Sequence, residues 1–149
     1  MKVETLKVNY IIDEKLSVKP TKMIVEQLDQ DEKQNIHFEV HFNNRHFQSK
    51  PSDSTEYAIK YLQRKLPDNI NIACCQSCGH GNFNPFGDME NEVFCLKDKT
   101  PSNKADVVEI FSNQDKTFKT RSRKLLDFCK DYQTISHNEK YTYNDWDLD

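Results

Sequence analysis

The sequence predicts an α+β protein: an antiparallel sheet with one covering helix, followed by an irregular, cysteine-rich module. Three observations carry this. Ile36, Phe38, Val40 and Phe42 alternate with His37, Glu39 and His41, which is the period of a strand with one buried face. Tyr57, Ala58, Tyr61, Leu62 and Leu66 recur at helical spacing. All five cysteines lie in the second half, and the only three glycines (79, 81 and 87) fall between Cys78 and Cys95. The irregular backbone geometry is therefore concentrated where the sulfurs are.

In chain order, Lys7–Asp13 and Met23–Leu28 read as strands separated by a break at Lys19-Pro20. The polar run from Asp29 to Asn35 reads as a solvated loop joining the second of these to Ile36–Phe42 in a hairpin. Pro51 and the oxygens of Ser52, Asp53 and Ser54 open the helix, with Glu56 placed three residues after Asp53 as in a capping box, and Pro67 closes it. Ile70, Ile72 and Cys74 then share one face of a strand and Asn71, Ala73 and Cys75 the other. Asn82–Asn91 is turn-rich around Pro85-Phe86-Gly87-Asp88. Glu92–Leu96 is a short strand carrying Cys95, and Val107, Val108, Ile110 and Phe111 form a single helical patch. The tail from Gln133 is polar except for Ile135, Tyr141, Tyr143, Trp146 and Leu148, and is either a docked edge strand or partly disordered. The expected organisation is sheet plus helix over residues 1–75, a cysteine-rich module over 75–132 packed on it within the same domain, and a polar tail over 133–149.

At 149 residues the chain suits one domain with a short appendage. Leu, Ile, Val and Phe are fewer than one residue in four, so the core is lean. A net charge of −3 and a pI near 6.0 argue against retention on nucleic acid by bulk electrostatics. No stretch approaches the roughly 20 apolar residues that span a bilayer, so no membrane role is expected. MKVETLKVNY lacks the apolar core of a secretory signal, and five is an odd number of cysteines for a disulfide framework. Cytoplasm is the expected address.

Cys75-Gln76-Ser77-Cys78-Gly79 has the form of a metal knuckle. Two cysteines two residues apart turn their sulfurs to one point, and the following glycine lets backbone N–H groups aim at the thiolate. With Cys95 and Cys129 they make a candidate tetrahedral four-thiolate zinc site, for which His80 and Cys74 are substitutes. Strand parity sends Cys74 inward as a small apolar side chain and leaves Cys75 to the metal. Four thiolates also suit an iron–sulfur cluster, which the sequence does not separate from zinc. A redox dithiol at Cys75 and Cys78 is a further alternative, lacking the helix that would lower the first thiol's pKa. Inert buried cysteines are the plain alternative.

Cys75-x-x-Cys78, Phe83, Pro85-Phe86-Gly87, Phe94-Cys95 and Cys129-x-x-Tyr132 together resemble a bacterial family of unknown function, over about residues 70–132. Its members carry Cys-x-x-Cys, a Tyr-Ser-Asp-Tyr-x-Pro-Tyr-Gly-like stretch, Cys-Phe-Arg and a late Cys-x-x-Phe. The chain departs from that pattern at Cys95-Leu96-Lys97 and in its extra glycine around His80. The resemblance implies Cys75, Cys78, Cys95 and Cys129 as the quartet, within a metal module behind a sheet–helix front. It brings no activity with it.

Little else in the chain nominates chemistry. His37 and His41 share an exposed strand face with Glu39 between them, the usual setting of solvated histidines, and His46 follows in the next segment. No nucleophile elbow, catalytic triad order or phosphate-cradling glycine loop is present. Lys116, Lys119, Arg121, Arg123 and Lys124, with Phe118 among them, are candidate phosphate contacts, diluted by neighbouring acids. The expectation is a non-catalytic bacterial protein with structural zinc that binds another protein, of an immunity or accessory kind in a toxin system. A zinc-dependent nucleic-acid-binding protein using 116–124 is the alternative, and a thiol redox or iron–sulfur protein a third.

Overall fold

A computed structural model describes residues 1–28, 33–87, 91–113, 118–136 and 138–147. The chain is α+β and divides into two compact units, Met1–Ile72 and Ala73–Asp149. The division falls slightly before the expected residue 75, and the tail belongs to the second unit.

In the first unit, β1 (Lys2–Ile12), β2 (Lys15–Gln27), β3 (Gln34–Phe42) and β4 (Arg45–Gln48) form an antiparallel meander. A short strand, β5 (Ile70–Ala73), adds on the far side of β1, giving the order β4-β3-β2-β1-β5. Two tight turns set the register. Asp13 and Glu14 have φ of 50° and 69°, and Asn43 and Asn44 have 45° and 69°, the signature of two-residue hairpin loops that match strand twist. The β2–β3 hairpin is as expected, with Gln27 opposite Gln34; Asp29 to Glu32 lie outside the described residues.

The expected break at Lys19-Pro20 is not there: β2 runs through it, with Pro20 opposite Lys7. The reason is positional. Pairing with β3 begins only at Thr21, so Pro20 lies where β2 is locally an edge strand and its missing N–H is tolerated.

β3 buries Ile36, Phe38, Val40 and Phe42, as its alternation requires. They join Val8 and Tyr10, whose hydroxyl is satisfied by Thr21 Oγ1 at 2.6 Å and whose ring meets Phe42 edge-on at 4.9 Å. Helix α1 (Thr55–Lys65) packs on β3 and β4. Its N-cap is Ser54, whose hydroxyl accepts from Tyr57 N–H at 3.4 Å. The buried stripe is Ala58, Ile59, Leu62 and, past the helix end, Leu66. Full burial of side chains such as Ile59 and Leu62 contributes about 1.5–3 kcal/mol each. The expected stripe is thus rotated: Ile59 replaces Tyr57 and Tyr61. Those tyrosines lie on its flank, and Tyr61 carries Lys50 Nζ at 4.2 Å and Arg64 at 5.5 Å over its ring.

The second unit is more regular than expected. It holds a three-stranded antiparallel sheet, β6 (Gly81–Asn82), β7 (Glu92–Cys95) and β8 (Ser122–Lys124), and a second helix, α2 (Lys104–Ser112), capped by Asn103. Phe94, Leu96, Val107, Phe111 and Phe118 form its core, with the three phenylalanine centroids 5.1–5.2 Å apart. The tail docks through polar groups. Thr142 Oγ1 donates to the Gly79 carbonyl at 2.6 Å, and Asn144 Nδ2 donates to the carbonyls of Gln76 at 2.6 Å and Gly81 at 3.2 Å. Leu148 and Asp149 lie outside the described residues. Among the described residues no helix is long and apolar enough to cross a membrane.

Candidate metal centre

Three segments bring the cysteines together. Beyond β5, Cys75–Ser77 form a single 3₁₀ turn that packs on β6, β7 and β8. Cys75 N–H donates to the Asp127 carbonyl at 2.6 Å and Gln76 N–H to the Leu125 carbonyl at 3.0 Å, which ties the turn to the segment leading to Cys129. Gly81 N–H donates to the Cys78 carbonyl at 2.9 Å, and Gly81 pairs with Cys95 across β6 and β7. A Cβ on Gly81 would lie 2.2 Å from the Cys75 carbonyl oxygen, so this close approach demands glycine. Cys75, Cys78, Cys95 and Cys129 thereby line one cavity of about 60 Å³, together with His80, Lys97 and Arg123.

Backbone donors converge on the knuckle. His80 N–H lies 3.4 Å from Cys78 Sγ, and the Gln133 N–H also favours the thiolate of Cys78. Burial nevertheless raises the Cys78 thiol and, with its sulfur neighbours Cys74 and Cys78, pushes Cys75 up to about 12. Among the described residues, no group of three or more His, Cys, Asp or Glu stands at metal-holding spacing. Four cysteines share a cavity without forming a coordination shell.

The substitutes behave differently. Cys74 is fully buried, its backbone N–H donates to Ser77 Oγ at 3.0 Å, and burial pushes its thiol up to about 11. It does not line the cavity. His80 borders the cavity, but its Nδ1 lies 3.3 Å from Lys140 Nζ and is occupied as an acceptor. Burial and then the Lys140 charge lower its pKa, which keeps the ring neutral. His80 contributes its backbone to the knuckle. Cations border the sulfurs: Lys97, paired with Asp131 at 2.9 Å, is also acted on by Cys129 and Cys95.

Sequence reasoning missed the supports of the site. Tyr132 N–H donates to the Cys129 carbonyl at 3.1 Å, and its hydroxyl lies 3.1 Å from Ser77 Oγ, inside the Cys75–Cys78 turn. Burial pushes this phenol up to about 12. The Cys129-x-x-Tyr132 spacing was a visible signal for it. The Asp127 carbonyl and the tail's Thr142 and Asn144 left none, since backbone acceptors and polar donors have no sequence period.

The candidate phosphate contacts are partly committed elsewhere. Lys116 lies outside the described residues. Arg121 grips both carboxylate oxygens of Asp98 and donates to the Cys95 carbonyl at 3.2 Å, while Arg123 donates to the carbonyls of Thr120 at 2.6 Å and Ser122 at 2.9 Å. Lys119 and Lys124 are exposed. On the first unit, His46 and His37 lie 3.0 and 3.8 Å from the Glu39 carboxylate, and His41 stacks on His46 at 4.5 Å. Comparison with protein-family models, with curated proteins and with solved structures finds no match for this chain.

Proposed function

We propose that this is a small cytoplasmic bacterial protein with a structural zinc ion held by Cys75, Cys78, Cys95 and Cys129, and that it acts by binding another protein, in an immunity or accessory capacity, rather than by catalysis. The observation that carries the metal reading is the convergence of four cysteines from three separate segments on one small cavity. The close approach of Gly81 to the Cys75 carbonyl and the N–H groups aimed at Cys78 support it. When bound, zinc supplies no reaction; it ties three chain segments together, and its binding energy is folding energy.

The protein-binding half is supported by the outer face of the first unit's sheet. Register places Leu16 and Val18 side by side on the face opposite the α1 core, each about half exposed. The test is elemental analysis of untagged protein purified without added metal, with a thiol count under native conditions. One zinc per chain with one or two reactive thiols is expected. Metal-free protein overturns the zinc reading, iron with visible absorbance replaces it, and turnover on a hydrolase or redox panel overturns the non-catalytic one.

A further inference from the structure

We propose that the second unit carries a binding pocket, separate from the cysteine site, for a small zwitterion with an apolar side chain, the class of the free apolar α-amino acids. The pocket has a volume of about 370 Å³ and lies between one face of α2, the loop that precedes that helix, and a 3₁₀ turn at Phe118–Arg121. This is the small end of the roughly 300–1,000 Å³ usual for ligand pockets. No cysteine is among its described walls, so it stands or falls apart from the zinc reading. Helical spacing builds the first wall. Asp106, Glu109, Ile110 and Asn113 stand at i, i+3, i+4 and i+7, on one face of α2, while Val107 and Phe111 belong to the core. The floor is apolar and fixed: Pro101 is buried, Phe118 is part of the phenylalanine core, and Ile110 packs against that core.

The charged groups differ in what they already hold. Arg121 is committed, with its guanidinium on both Asp98 oxygens and on the Cys95 carbonyl. Asp106 caps the helix: its Oδ2 accepts from the Ser102 N–H at 2.7 Å, and its own N–H donates to Asn103 Oδ1 at 2.9 Å. Glu109 and Lys99, both exposed at the rim, are the charges left for a ligand, one from the helix and one from the loop. The Lys99 charge also acts on Asp98, whose carboxylate Arg121 already grips. A turn fixes Lys99 in place, because its N–H donates at 3.0 Å to the carbonyl of fully buried Leu96. The pocket therefore offers a carboxylate to an ammonium, with the Asn113 carboxamide one helical turn on. It offers the Lys99 ammonium to a carboxylate, with the Thr100 hydroxyl next in the chain, and an apolar floor to a side chain. A simple amine would meet Lys99 as a like charge, and a simple acid would meet Glu109 as one. A zwitterion satisfies both.

The experiment titrates the intact, isotope-labelled protein with L-leucine and L-phenylalanine and follows backbone amide shifts. The amide of each ligand lacks the carboxylate, its N-acetyl form lacks the ammonium, and glycine lacks the side chain. Saturable shifts confined to residues 99–110 and 118–121, with the Cys75–Cys78 amides unmoved, are the expected result for at least one of the two amino acids. Its three analogues should each bind at least about tenfold more weakly, the loss of one charged hydrogen bond or of the apolar contact. Glu109→Gln and Lys99→Gln alter exposed side chains and should each weaken binding about tenfold. In Lys99→Gln the amide should now bind as well as the amino acid, and in Glu109→Gln the N-acetyl form should, an equalisation that general loss of structure would not produce. No saturable shift with either amino acid at millimolar concentration overturns the proposal. So does an analogue that matches its parent on the unaltered protein, or a response centred on the cysteine segments.

Discussion

Cys74 and Cys78 are four residues apart, both buried, and have opposite expected roles. Cys78→Ser removes the sulfur on which two backbone N–H groups converge, so metal content should fall toward zero and thermal stability with it. Cys74→Ser keeps the cavity intact, since Cys74 does not line it, and should cost about 1 kcal/mol through packing with metal retained. Equal metal loss in the two variants, read by elemental analysis, would mean that Cys74 is a ligand. Gly81→Ala tests the scaffold without touching a sulfur. Its methyl would meet the Cys75 carbonyl at 2.2 Å, and both partners are backbone, so neither can rotate away. A loss of roughly 2 kcal/mol or more is expected in denaturant melts. At this scale the sequence was informative about the sulfurs and silent about what holds them. Cys-x-x-Cys followed by glycine marks a knuckle by residue type, whereas the Asp127 carbonyl acts through backbone that every residue has.

Among the elements, β3 was legible because alternation and burial are the same fact, and α1 because capping oxygens and an apolar row coincide. β2 was misread at Pro20 because proline's effect depends on whether a neighbour needs its N–H, which is a property of the sheet. The hairpin turns allow a test of element geometry. Glu14 holds φ of 69° with a Cβ, in a turn position that favours glycine. Glu14→Gly should stabilise by about 0.5 kcal/mol, the relief of the left-handed conformation exceeding glycine's greater chain entropy. A lower urea midpoint would contradict it. In the second unit, Arg121 joins the loop after β7 to β8's approach by gripping Asp98. The guanidinium holds the Asp98 carboxyl down at about 2. A depressed folded-state value means stability that is present above the unfolded value near 4 and lost as pH falls through about 2. Asp98 is largely exposed, so solvent and salt screen the pair. Arg121→Gln should therefore flatten the acid limb between pH 4 and 2 relative to the parent, with the difference shrinking in high salt. Parallel limbs at low salt would show that the pair contributes nothing.

On the scale of the whole molecule, the chain divides into two compact units, with the residues after Gln133 inside the second. The tail was illegible because it docks with Thr142 and Asn144 on main-chain carbonyls, and its apolar residues follow neither helix nor strand period. Each unit has its own core: Tyr10, Phe38 and Ile59 in one, Phe94, Phe111 and Phe118 in the other. Only the second holds the cysteine cavity, and only it holds the chain's single tryptophan, half-buried Trp146, whose backbone N–H donates to Asn144 Oδ1 at 3.0 Å. Because Asn144 also binds the Gln76 and Gly81 carbonyls that frame the Cys75–Cys78 turn, Trp146 is placed to report on the cysteine cavity. Removing metal with a strong chelator should shift the tryptophan fluorescence transition to lower denaturant. The far-UV signal, to which the helix of each unit contributes, should move less than the tryptophan signal. Coincident shifts of both probes would mean that the two units unfold as one cooperative block. No shift in either would mean that the four cysteines carry no folding energy, and the metal reading would fall with them.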